Sequence, residues 1–160
     1  MKKLTTFLMI FALSCACLFA DEKMKVSAGA VSAELPVGWI AQYAQTPILF
    51  YFYSPTEEND TFRENINITV ETLPSKYTPS GYIDNSLTYL KTLYSNFEVI
   101  KKENDAVLLQ GAINGIAVKQ YLKVIIKGKL AYSITASSTP SDYERYESVF
   151  KEIISSIKAK

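Results

Sequence analysis

Apolar side chains recur at nearly every second position across residues 116–126, and this alternation limits the fold more than any other feature of the sequence. Successive side chains of a β-strand point to opposite faces, so a period of two is typical of a strand. One face carries Ile116, Val118, Gln120, Leu122, Val124 and Ile126, and the other carries Ala117, Lys119, Tyr121, Lys123 and Ile125. Asn114-Gly115 before the strand indicates a two-residue hairpin, and Gly128 indicates a turn after it. We therefore predict a three-stranded antiparallel meander over residues 106–137.

The first half of the chain predicts further strands. The pattern indicates one strand over residues 26–35, a turn over 36–38, and strands over 39–43 and 48–53. Ile66, Ile68 and Val70 predict the inward face of another strand. Residues 54–60 have the polar composition of an exposed loop.

Two segments change to a helical period. Thr78 and Pro79 provide a cap and a first-turn proline for one helix, and Ser141 and Glu144, after Pro140, have the spacing of a capping box for a second. The first apolar stripe consists of Ile83, Leu87, Leu90, Tyr94 and Phe97, and the second of Tyr143, Tyr146, Phe150, Ile153 and Ile157. A helix with one apolar stripe has to pack it against another element, and the sheet is the large partner.

These elements predict an α+β fold, with a mainly antiparallel β-sheet packed against two main helices. Hairpins rather than helical crossovers join most of the strands, which favours antiparallel pairing. Because Lys119, Lys123 and Lys127 share one face of a strand, we expect helices to cover one face of the sheet more fully than the other.

Residues 1–20 are typical of a secretory leader. Lys2 and Lys3 precede an apolar run over residues 7–13, which is too short to span a membrane. Two processing routes stay open: cleavage after Ala20, or lipidation at a relaxed lipobox, where Cys17 fits better than Cys15. We expect a protein that works outside the cytoplasm, free or held to a membrane by a lipid on Cys17. Residues 21–160 are then a single domain.

Charge and residue types exclude several function classes. The chain has 17 basic and 16 acidic side chains, and this balance argues against a nucleic-acid partner. It has no histidine, and both cysteines lie in the leader, so Ser-His-Asp triads, Cys-His pairs and histidine- or cysteine-based zinc sites are excluded. We predict no catalytic residue, no metal site and no cofactor. A hydrolase that relies on carboxylates is the remaining enzymatic alternative.

Several motifs have both a functional and a structural interpretation. Ser155 and Lys158 have the spacing of a Ser-x-x-Lys nucleophile but end a helix without the partner motifs of that chemistry. The acidic residues Glu57, Glu58, Asp60 and Glu64 could supply oxygen ligands for calcium, but their spacing misses the EF-hand pattern and a solvated polar loop is the favoured interpretation.

Lysines and aromatic residues allow two further alternatives. Lys119, Lys123, Lys127 and Lys129 form either a basic strip or a solvated sheet face. We expect Trp39 to anchor the core, with a ligand platform as the alternative, and an aromatic surface groove could involve either Tyr51 and Tyr53 or Phe50 and Phe52.

Four motifs in this order resemble the PsbP-like domain family, which includes PsbP subunits, Ran-binding Mog proteins and small bacterial exported proteins. They are LPVGW at residues 35–39, FRENINI at 62–68, the strand pair at 117–126 and 130–136, and FKEIISSI at 150–157. The resemblance implies an α/β/α sandwich and a binding or assembly role rather than an enzyme. Any metal site that uses histidine in the family cannot exist here.

The sequence therefore predicts a non-enzymatic binding or assembly module of the bacterial envelope, with a protein partner. A carrier of a small apolar or aromatic ligand, held between the sheet and a helix, is the alternative.

Overall fold

A computed structural model describes residues 23–58 and 61–160 of the chain. The predictions for the leader, for lipidation of Cys17 and for Asp60 lie outside these residues. Within them, neither helix is long and apolar enough to cross a membrane.

The elements in chain order are β1 (Met24–Ala28), β2 (Val31–Leu35), β3 (Ile40–Tyr43), β4 (Ile48–Tyr53), β5 (Asn65–Thr72), α1 (Pro79–Leu93), β6 (Ser95–Lys102), β7 (Ala106–Ile113), β8 (Ile116–Lys127), β9 (Leu130–Ser138), α2 (Tyr143–Ser156) and β10 (Lys158–Ala159).

Seven strands form one antiparallel sheet in the order β3-β4-β5-β9-β8-β7-β6. The predicted meander is confirmed as β7, β8 and β9, with Ile113 opposite Ile116 at the first hairpin. Asn114 and Gly115 in this turn have φ angles of +51° and +82°. Two successive positive φ angles are what a two-residue hairpin turn requires, and Asn-Gly adopts them at little cost.

The single strand predicted over residues 26–35 is wrong: the chain turns in its middle. Gly29, with φ of +55°, separates β1 from β2, and the two strands pair as a hairpin. Strand β10 adds to the other edge of β2 and completes a three-stranded sheet. The inward residues are even-numbered in β1 (Val26 and Ala28) and odd-numbered in β2 (Val31 and Leu35), so the alternation changes phase at the turn. One continuous strand would place the two sets on opposite faces, and the hairpin brings them into the same core.

The first helix begins as predicted but ends earlier. Thr78 caps it by accepting a 3.1 Å hydrogen bond from the backbone N–H of Gly81, and Pro79 is its first residue. The helix ends at Leu93, so Phe97 lies in β6, a strand that the helical pattern had hidden. Tyr94 and Phe97 still pack on the cluster around Ile83, which explains why they continue the stripe.

The second helix carries the predicted stripe, but its capping box does not form. Tyr143, Tyr146, Phe150, Ile153 and Ile157 are all buried. The helix begins at Tyr143, with Asp142 at the cap position. Thr139 Oγ1 accepts from the backbone N–H of Asp142 at 3.2 Å and so takes the place expected of Ser141.

Both faces of the seven-stranded sheet are covered, as the resemblance implied, although the lysine pattern had favoured fuller cover of one face. On one face, α1 packs through Ile83 against Val107, Leu109, Leu122 and Val124. On the other face, α2 and the small sheet enclose the larger core. The main members of this core are Val31, Leu35, Trp39, Phe50, Phe52, Ile66, Ile68, Ile134, Phe150 and Ile153.

Two of the lysines on the second face are compatible with a covering helix because each is paired with a carboxylate. Lys119 Nζ lies 3.2 Å from Glu144 and 4.7 Å from the centroid of the Tyr143 ring, and Lys123 Nζ lies 2.6 Å from Asp105. Long lysine stems can cover apolar surface while the charged ends stay near water. The α+β class is confirmed, with helices on both sides of the sheet.

Candidate functional site

A groove of about 580 Å³ lies between α1 and the face of the large sheet on which that helix packs. Helix α1 covers β7 and β8 but leaves part of β5 and β9 open, and the groove occupies this space. Its lining includes four tyrosines, Tyr77, Tyr82, Tyr89 and Tyr94. The apolar part of the lining is Leu73, Pro74, Leu90, Leu109 and Leu122, and the remaining polar part is Asn67, Glu71, Asn85, Ser86, Gln120, Ser133 and Thr135.

Strand register places the floor of the groove. Asn67 on β5 lies opposite Thr135 on β9, which in turn lies opposite Leu122 on β8. Residues opposite one another in adjacent strands share a face of the sheet. The floor therefore changes from polar to apolar as it runs under the helix.

Tyr82 and Glu71 form the polar end of the groove. The Tyr82 hydroxyl donates to a carboxylate oxygen of Glu71 and accepts a 3.1 Å hydrogen bond from Ser133 Oγ. Burial, and then the hydrogen bond to Glu71, raise the pKa of Tyr82 above its ordinary value. Tyr82 is therefore a neutral hydrogen-bond donor at physiological pH.

Tyr94 is held at the deeper end of the groove. Its hydroxyl donates to Gln120 Oε1, and Gln120 Nε2 donates to Ser137 Oγ at 2.8 Å. Burial raises the pKa of Tyr94. An added Cβ at Gly111 would meet the Tyr94 ring at 3.0 Å, so this glycine allows the ring to lie against β7.

The groove lining combines hydrogen-bonding groups with apolar side chains. Tyr82 and Tyr94 are half-buried neutral donors, and the side chain of Glu71 is exposed. Among the described residues, the groove lining contains no lysine or arginine, and no cluster of three or more metal-binding side chains exists.

The aromatic residues singled out from sequence lie elsewhere. Trp39 is buried, with its ring in an edge-on contact with Phe150 at a centroid distance of 6.2 Å, as expected of a core anchor. Phe50 and Phe52 are also in this core, whereas Tyr51 and Tyr53 stack on each other at 5.8 Å on the opposite face. Neither stacked tyrosine lines the groove.

The Ser-x-x-Lys motif and the acidic loop both take part in structural contacts. Ser155 donates to the carbonyl oxygen of Glu152, whereas Lys158 lies in β10, paired with β2. In the acidic loop, Glu57 binds Arg145 and Tyr146. Each of these residues therefore has a structural partner.

The groove residues were not predicted from the sequence. Tyr82, Ser86 and Tyr89 recur at steps of four and three along α1, beside the apolar stripe, so they share one helix face. A second, polar-aromatic stripe on the same helix was the pattern that could have located this site.

Comparisons with known proteins identify the fold. The chain matches no protein-family model and no curated protein. It is similar to the solved structure of cyanobacterial PsbP (CyanoP) from Synechocystis, with 15% identity, coverage of 92% of this chain and 98% of that chain, and a TM-score of 0.61. The chain is also similar to the Ran-binding protein Mog1p of Saccharomyces cerevisiae, with 11% identity and a TM-score of 0.59. This match covers 88% of this chain and 96% of that chain.

A third similar structure is LpqN of Mycobacterium tuberculosis, a protein involved in cell envelope biogenesis. It is 14% identical, and the match covers 86% of this chain and 90% of that chain with a TM-score of 0.58. The three matches span most of both chains in each case, and they confirm the resemblance predicted from the four motifs at the level of the fold. The chain therefore has the PsbP-like fold that CyanoP, Mog1p and LpqN share.

Proposed function

We propose that this chain is a non-enzymatic binding module that works outside the bacterial cytoplasm, and that the groove between α1 and the sheet is its binding site. The observation that carries the proposal is the groove itself, at about 580 Å³. Small-molecule sites are concave, largely apolar and contain a few fixed polar groups, with volumes of roughly 300–1,000 Å³. Tyr82, Tyr94 and Gln120 are such groups, because each is held by hydrogen bonds.

Residue chemistry supports a role without catalysis. The chain has no histidine, and its two cysteines precede the described residues. The side chain that could act as a base in the groove is Glu71, which accepts a hydrogen bond from a neutral tyrosine. A carrier of a small ligand is therefore the function that the geometry favours.

A protein partner is the second candidate. Tyr89 and Leu93 lie four residues apart on α1, and their exposed fractions are 64% and 49%. Two large exposed side chains on the helix that borders the groove are suited to a protein contact. One structural neighbour is a Ran-binding protein, which is consistent with a role in binding. Another is involved in cell envelope biogenesis, which is consistent with a role in the envelope.

The proposed location depends on residues 1–20 as a leader, with residues 21–160 as the mature domain. Mass spectrometry of the mature amino terminus tests this. A diacylated Cys17 would indicate a membrane-tethered module, and a free Asp21 would indicate a secreted one. A mature protein that keeps Met1 would contradict export by either route.

The binding site is tested by blocking the groove. Ser86 lines it, whereas Thr88 is exposed on another face of the same helix. Native mass spectrometry of protein purified from producing cells should show retained ligand mass in the wild type and in Thr88→Trp, and loss of that mass in Ser86→Trp. Ligand-free wild-type protein, or mass that Ser86→Trp keeps, would contradict the proposal.

A further inference from the structure

We infer that the groove binds a small organic cation that carries a methylated ammonium group. This inference rests on the proposed function, because it specifies the ligand of the same groove. The first observation is charge: Glu71 is the one charged side chain in the lining, and among the described residues no lysine or arginine faces it there. A ligand with a positive charge is complementary to this lining, and one with a negative charge is not.

Glu71 is available to a ligand. It takes part in none of the ion pairs that join the described residues, and Tyr82 supplies its hydrogen bond. An ionised carboxylate has about four acceptor positions, so one tyrosine donor leaves most of them open. Tyr82, in turn held by Ser133, keeps the carboxylate at the groove.

The four tyrosines supply the second observation. The face of an aromatic ring attracts a cation within about 6 Å, and sites that recognise quaternary ammonium groups are built from several such rings. Elsewhere the protein already uses this contact: Arg63 lies over Tyr53, Lys119 over Tyr143, and Arg145 over Tyr146, at distances of 5.2, 4.7 and 4.8 Å.

The groove tyrosines differ from those three rings. Within residues 23–58 and 61–160, no cationic side chain lies over Tyr77, Tyr82, Tyr89 or Tyr94. An aromatic site with a fixed carboxylate and no cation of its own is suited to a cation supplied by a ligand. Leu90, Leu109 and Leu122 provide the apolar contacts that methyl groups need.

Choline is the probe for this inference, and its neutral isostere, in which a tert-butyl group replaces the trimethylammonium group, is the matched control. Titration is followed by NMR of the tyrosine rings, with exposed Tyr43 as the internal reference. We expect choline to shift the rings of Tyr82, Tyr89 and Tyr94 and to bind at least about ten times more tightly than the isostere. Phosphocholine should bind more weakly than choline, because Glu71 repels its phosphate and the groove lining has no lysine or arginine to offset that negative charge.

Two variants separate charge from general packing. Glu71→Gln should weaken choline binding about ten-fold and leave binding of the isostere unchanged. Glu98→Gln, on β6 outside the groove, is the matched control and should change neither. Tyr89→Ala removes an exposed ring without disturbing the core and should weaken choline binding several-fold.

Equal binding of choline and the isostere, or the absence of saturable choline binding at millimolar concentrations, would overturn this inference. Binding of the isostere that Ser86→Trp abolishes would overturn the cation specificity alone and leave the groove as the binding site. If neither choline nor the isostere binds, and the wild-type protein is ligand-free in native mass spectrometry, the proposed function is overturned as well.

Discussion

Arg145 on α2 holds Glu57, in the loop after β4, through two hydrogen bonds of 3.0 and 3.1 Å to one carboxylate oxygen. Tyr146 donates to the other oxygen at 2.9 Å. These contacts join residues 88 and 89 positions apart and fasten the loop between β4 and β5 to the second helix. Glu57, which the composition of its loop marks as exposed, thus has a fixed attachment to the second helix.

This contact predicts an acid-sensitive attachment of the loop. Hydrogen bonds from Tyr146, and then from Arg145, lower the pKa of Glu57 below its ordinary value of 4.5. A carboxyl group whose pKa is lower in the folded state than in the unfolded state stabilises the fold at pH values above the unfolded-state pKa. This contribution is lost as the pH falls through the folded-state pKa. Tyr146→Phe should therefore move the titration midpoint of Glu57 upward, toward 4.5, in carbon-13 NMR of the side-chain carboxyl.

Glu58→Gln is the control for this titration. Glu58 is a neighbouring exposed carboxylate, and its removal should leave the Glu57 midpoint nearly in place. An unchanged midpoint in Tyr146→Phe would show that the tyrosine does not contribute to the pKa shift.

We expect the fold to lose stability when the buried hydrogen-bond acceptor Glu64 is removed. It is 2% exposed, and its carboxylate accepts hydrogen bonds from the buried hydroxyls of Ser54 and Ser138 at 3.5 and 3.2 Å. Glu64→Ala leaves both hydroxyls without this partner and should destabilise the fold by about 2–4 kcal/mol in urea unfolding. Glu64→Gln keeps an acceptor oxygen and should cost less. Equal losses in the two variants would mean that packing, rather than hydrogen bonding, determines the effect.

Among the variants proposed here, we expect truncation of Phe150 to cause the largest decrease in the free energy of unfolding. Its ring is buried and contacts the rings of Trp39, Tyr143 and Tyr146 at centroid distances of 6.2, 6.0 and 5.9 Å. Phe150→Ala should lower the free energy of unfolding by about 3–5 kcal/mol, because it leaves a cavity as well as losing apolar contacts. Trp39 is the one tryptophan in the chain, so its fluorescence reports this unfolding directly. A loss below about 1 kcal/mol would place Phe150 outside a well-packed core.

In the β7–β8 hairpin, we expect a side chain at position 115 to strain the backbone and lower stability. With φ of +82°, this residue adopts a conformation that side chains disfavour, although an added Cβ would meet nothing within 4 Å. Gly115→Ala should therefore destabilise by about 1 kcal/mol through backbone strain alone. The companion variant Asn114→Gly, at φ of +51°, should change stability by less than about 0.5 kcal/mol. A neutral Gly115→Ala would contradict the turn geometry.

Predictions from sequence succeeded where a local pattern had one interpretation. The alternation over residues 116–126 and the Asn114-Gly115 pair specified both strands and their turn, and the stripe of α2 specified its buried face. They failed at Phe97, which continues a helical stripe although it lies in β6, because the same spacing fits a helix end and a strand. They also failed over residues 26–35, where the alternation changes phase between Ala28 and Val31 and so marks the turn of a hairpin.

The candidate site was less predictable than the fold. Tyr82 and Tyr89 could be placed on one helix face from their spacing, but Glu71 and Gln120 come from separate strands. Their proximity depends on β5 lying beside β9, and on α1 covering only part of that sheet. No spacing along the chain encodes this arrangement.

The order of residues by itself determined the periods of most strands and of both helices, the Asn114-Gly115 turn and the absence of histidine chemistry, because these depend on near neighbours or on composition. The tertiary structure alone decided that both sheet faces are covered, that Glu57 holds a loop to α2, and that four tyrosines and a carboxylate meet in one groove. These outcomes come from contacts between segments distant in the chain. Such contacts form only when the apolar faces of whole elements pack together, and local sequence does not record which faces meet.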